Sequence, residues 1–185
     1  MDMKINAQDK YKAGLVASPE LVIGNAAATT HYQMRCFDKF GNLKWDEEFF
    51  NLITTVGLNE LLDKTFKASA YTAAWYVGLK GSGSLVAGDT MGSHINWSEI
   101  TDYDEATRPA LTLGTPSGGS VGNSGNEATF TFNAGATVAG AFIADDDTRG
   151  GTTGVLYGGG DFSAARSVVS SDVLNVTATL TITSA

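Results

Sequence analysis

Leu174-Asn175-Val176-Thr177-Ala178-Thr179-Leu180-Thr181-Ile182 alternates without a break, with Leu, Val, Ala, Leu and Ile on even positions and Asn and Thr on odd ones. Successive side chains of an extended chain point to opposite faces, so a period of two creates one apolar and one polar face. That is the pattern of a strand half buried in an antiparallel sheet; on a helix the same residues would scatter around the axis.

Comparable signals recur upstream. Glu127–Phe132, Val138–Ala144 and Gly154–Tyr157 read as strands, as do Trp97–Thr101 and Arg108–Leu113 on either side of the acidic turn Asp102-Tyr103-Asp104-Glu105. Tyr71–Leu79 is aromatic and β-branched and ends at Gly81-Ser82-Gly83, after which a long connection runs over 82–96. His31–Asp38 and Leu43–Phe49 flank Lys39-Phe40-Gly41-Asn42, whose turn chemistry makes the pair a hairpin. With 22 Gly and only 3 Pro, the composition favours strands joined by Gly turns, and Gly150-Gly151 and Gly158-Gly159-Gly160 read as bends between them.

One helix is expected, over 54–67. Leu58, Leu61, Leu62 and Phe66 form an apolar stripe to face the core, Asn59, Glu60, Asp63 and Lys64 face out, and Thr54 or Thr55 caps the start. Eight or nine short strands without an internal repeat predict a mainly β chain: an antiparallel β-sandwich of jelly-roll or Greek-key type with one short α-helix. Residues 1–29 read as an extended N-terminal arm and 30–185 as the sandwich domain. The arm carries Leu21, Val22 and Ile23 behind Pro19, and is either a loosely attached terminus or a segment lying along a neighbouring subunit.

The formal charge of −8, from 12 Lys and Arg against 20 Asp and Glu, argues against a nucleic-acid partner, which would need clustered basic residues. No apolar run is long enough for a membrane span, and the polar start Met1-Asp2-Met3-Lys4-Ile5-Asn6 is unlike a signal peptide. Cys36 stands alone, so no intrachain disulfide can form, and it is expected to be a buried, small apolar residue.

The catalytic patterns are thin. Gly118-Gly119-Ser120-Val121-Gly122 matches G-x-S-x-G, but a nucleophile elbow needs a strand before the Ser and a helix after it, and both flanks read as loop. His31 and His94 lie in different segments without a ligand-spaced neighbour. Asp145-Asp146-Asp147 and Asp102-Tyr103-Asp104-Glu105 read as solvated turns, or alternatively as loops for calcium. Trp45, Trp75 and Trp97 are candidates for a sugar-binding platform. No enzyme and no cofactor is expected.

A second kind of signal lies in the order of short strings. Asn51–Asp63 is followed by Ala73-Ala74-Trp75-Tyr76-Val77-Gly78-Leu79, Gly88-Asp89-Thr90, Ala106-Thr107-Arg108-Pro109-Ala110, Gly140-Ala141-Phe142, Gly151–Tyr157 and Asp172–Thr177. This order resembles a family of small virion structural proteins of tailed bacteriophages. The resemblance implies a capsid decoration (cement) protein, with the major capsid protein as partner. It also implies a symmetric homo-oligomer, dimer or trimer, assembled in the host bacterial cytoplasm and carried on the virion surface. The alternative is a tail-fibre or receptor-binding module for host glycans. Contacts with the shell are expected from Leu21, Val22 and Ile23 of the arm and from the 82–96 loop with Met91 and His94.

Overall fold

The computed structural model describes residues 26–67, 69–70 and 74–184. Among these, the strands are β1 (Ala26–Phe37), β2 (Leu43–Phe50), β3 (Leu52–Ile53), β4 (Tyr76–Lys80), β5 (Glu99–Ile100), β6 (Ser120–Gly122), β7 (Ala128–Thr131), β8 (Ala136–Ala144), β9 (Leu156–Val168) and β10 (Val173–Ser184), with helix α1 (Thr55–Phe66) after β3. They form two five-stranded antiparallel sheets, one ordered β2-β1-β10-β6 with β7 also on β10, the other β3-β9-β8-β4-β5. The protein is an antiparallel β-sandwich. The chain passes from one sheet to the other after β2, β5, β7 and β9, and the first and last strands meet side by side from Ala26↔Ser184 to Phe37↔Val173.

The period-two strand behaves as its sequence requires. Leu174, Val176 and Ala178 are fully buried, facing Tyr32, Met34 and Cys36 of β1 within one apolar core that also holds Phe130, Val77, Leu79, Ala141 and Ile143. Strand β8 differs in being buried on both faces. Ala141 and Ile143 enter the core between the sheets, whereas Phe142 and Ala144 enter a second core with Leu85, Met91, Trp97 and Leu156. The 82–97 connection is therefore a cover folded over the outer face of a sheet, and its large apolar residues pack beneath it. Phe142 needs room there: it pairs with Gly78 on one side and Gly159 on the other, and a Cβ on Gly78 would stand 2.1 Å from Phe142 Cζ.

Four expectations from the sequence need correction. The glycines 158–160 are not a bend but lie within β9, near its start, where Phe142 and Phe49 lie against the backbone. Residues 26–29 belong to β1 and pair with β10, so the sandwich begins within the expected arm. Arg108–Leu113 makes only a bridge, Ala110 to Tyr76, because Pro109 has no N–H and Arg108 turns its own N–H to Asp147 C=O.

The fourth concerns α1. Thr54 caps it, accepting from Gly57 N–H at 3.1 Å while its hydroxyl donates to Leu156 C=O of β9. The helix then rests on β9 through Gly57, where a Cβ would come within 2.1 Å of Tyr157 O. This close approach fixes the rotation of the helix. Gly57 and Leu61 face the body, while Leu58, Leu62 and Phe66 point outward at 46%, 55% and 79% exposure.

Candidate interaction surfaces

The 82–96 loop is held from several sides. Asp89 accepts from Val86 N–H at 3.0 Å and from Trp97 Nε1 at 2.8 Å, closing the loop on itself. Lys80, fully buried, donates to Gly81 and Gly83 carbonyls at its entrance and reaches over Gly140 to Asp161 of β9. Thr55 N–H donates to Ala87 C=O at 2.8 Å, tying the loop to the start of α1. Met91, expected on the binding surface, is 1% exposed: it fills the second core, because an unbranched apolar chain suits the irregular space beside Trp97 and Leu156. That expectation is corrected. His94 is half-buried, stacked on the Trp97 ring at 4.0 Å with Nδ1 donating to Trp97 C=O at 3.1 Å. The residue the loop does present is Ile95, 93% exposed, with Val86 also on the surface.

A second feature is the mouth of the sandwich near the end of β10. Leu61, Trp75, Leu111, Leu113, Val121 and Ile182 line a groove of about 820 Å³ there. Ala26, the first residue of β1, pairs with Ser184 at the same end of β10. Leu21, Val22 and Ile23 lie outside the described residues.

Polar and acidic groups are spent on architecture. Arg108, fully buried, forks onto both Glu99 oxygens at 2.8 Å, and donates to Asp146 C=O at 2.7 Å and Gly151 C=O at 3.0 Å, with its guanidinium over Phe142. One side chain thus joins β5 to the 145–154 loop, an anchor that no motif or periodicity around Arg108 announces. Asp146 Oδ1 accepts from Thr148 N–H, and its Oδ2 from the Thr153 hydroxyl. These hydrogen bonds hold its carboxyl below the usual range. Asp145 accepts from Val155 N–H, and Glu105 from Thr131 N–H. Among the described residues no group of three or more His, Cys, Asp or Glu is placed to hold a metal ion.

Ser120 lies not in a loop but at the start of β6, its hydroxyl 2.9 Å from Thr181 Oγ1 and 3.2 Å from Leu180 C=O. No helix follows it; the chain goes on to β7. His31 is on β1, 3.5 Å from Glu48 and with its ring tilted 33° to that of Phe50 at 4.9 Å. Of the three tryptophans, Trp97 is in the second core, and Trp45 and Trp75 are partly buried, edge-on to Phe162 and Tyr157. No described helix is long and apolar enough to cross a membrane. Large apolar side chains stand exposed at the α1 row and the Ile95 tip, and also at Phe40 and Phe50.

No model of a known protein family matches the chain, and no curated protein is detectably similar to it.

Proposed function

We propose that this protein is a non-enzymatic structural component of a tailed-phage virion, a decoration protein that binds the capsid shell and stabilises it. The observation that carries this reading is the 82–96 loop. It is locked by its own core, by Asp89 and by Lys80, yet holds Ile95 out in solvent. A loop already fixed in shape loses little conformational freedom on docking, so apolar contact at its tip converts efficiently into affinity. The order of sequence strings, which resembles that of small phage virion proteins, supports the choice of partner class. The formal charge of −8 fits a component that sits on the outside of a particle and keeps particles apart.

The test is a binding assay on purified shells that lack the protein. Added protein co-sediments with them and raises their melting temperature. Replacing Ile95 by Asp removes apolar contact worth roughly 1.5–3 kcal/mol and weakens binding by about 10- to 100-fold, with the fold unchanged. Failure of the wild-type chain to co-sediment ends the shell reading; wild-type binding that Ile95→Asp leaves intact moves the contact away from the loop.

A further inference from the structure

Surface helices ordinarily turn charge outward and apolar residues inward. Helix α1 does the reverse: Thr55, Leu58, Asn59, Leu62, Thr65 and Phe66 are exposed and none of them is charged. Glu60, Asp63 and Lys64 sit lower on its flanks, and the charges pair along their own helix, Lys64 with Glu60 at 3.4 Å and Lys67 with Asp63 at 2.7 Å.

We propose that this outward face pairs with the same face of a second copy of the chain, the two helices antiparallel about a two-fold axis. Thr55, Leu58, Leu62 and Thr65 follow the three-four-three spacing that brings residues to one seam between helices. In either direction the seam reads Thr, Leu, Leu, Thr. A two-fold axis through its middle sets Leu58 against Leu62 of the second copy and Thr55 against Thr65, so apolar meets apolar and hydroxyl meets hydroxyl. This is the self-complementarity an isologous interface requires. Phe66 lies beside the seam and covers its end. The intrahelical ion pairs leave no unpaired like charges facing each other.

The helix has 12 residues and so spans about 18 Å, which makes the contact small beside a standard interface of about 1,600 Å². The dimer is therefore weak. It concerns a surface separate from the Ile95 loop and stands independently of the shell reading.

The experiment is sedimentation equilibrium on the full chain across the micromolar range, with two further arms. Wild type passes from monomer to dimer as concentration rises, and Leu62→Glu stays monomeric with the melting temperature of dilute wild type. Separately, Leu58→Cys and Leu62→Cys chains are mixed and oxidised, the native Cys36 being buried. The mixture gives more disulfide-linked dimer than either variant alone. The inference is overturned by a wild type that stays monomeric or forms trimers, by a dimer that survives Leu62→Glu, or by linkage that favours like positions. It is also overturned if Leu62→Glu lowers the melting temperature of dilute monomer, which would mean that the chain's own arm covers the face. A monomer that still binds shells defeats this pairing and leaves the proposed function standing.

Discussion

Phe142 occupies a space that only glycines leave open, and this decides what single substitutions do at the heart of the sheet. Adding a methyl at Gly78 drives it into the Phe142 ring, which Trp97 holds from the other side at 5.2 Å between centroids. Gly78→Ala is expected to cost about 1–3 kcal/mol, seen as a lower urea midpoint, and trimming Phe142 to Leu in the same chain recovers part of the loss. Cys36 is as buried as its sequence context suggested, and burial pushes its thiol up to about 11, with Asp172 raising it further and Lys44 opposing. Burial likewise raises the hydroxyls of Tyr32, Tyr103 and Tyr157. The folded chain thus keeps protons that the unfolded chain has released, so stability is intact below about pH 9 and falls as pH rises through about 11. Urea midpoints over that window should decline, and Cys36→Ala should flatten the part of the decline due to the thiol.

At the scale of elements, the capping hydroxyl of Thr54 is the device that orients α1. Thr54→Ala removes the acceptor for Gly57 N–H and the donor to Leu156 C=O in a fully buried place, and is expected to cost about 1–2 kcal/mol; Thr54→Ser keeps most of the stability. The strands with clear alternation, β1, β2, β7 and β10, were legible because one face of each is dry and the other wet. β9 was not, since glycines that admit Phe49 and Phe142 against a backbone look the same in sequence as glycines that turn a chain. The helix was legible in extent but not in rotation. Its Leu-rich stripe promised the core, yet the contact that sets it is the absence of a side chain at Gly57, which a hydrophobic pattern cannot register. The loop was legible as a place of interest and misleading in detail. Met91 and Ile95 differ little in apolarity, and only the second core beneath the loop tells which one is used up inside.

For the molecule as a whole, the β1–β10 ladder is the longest pairing, running from Ala26↔Ser184 to Phe37↔Val173. Because the ladder begins at Ala26, removing residues 1–25 is expected to leave the melting temperature close to that of the intact chain while weakening binding to shells. Circular dichroism melts and co-sedimentation check the two halves, and unchanged shell binding would remove Leu21, Val22 and Ile23 from the contact. The ladder also has a mechanical side. β1 and β10 are antiparallel, so the segments that flank Ala26 and Ser184 leave from the same end of the pair. Tension applied between those segments would load the hydrogen bonds one after another, as in opening a zipper, rather than all together in shear. Each bond contributes only about 0.5–1.5 kcal/mol net, so the pair would peel at low force from the middle of its sheet. The sandwich therefore withstands pressure on its sides better than tension applied to both flanking segments at once.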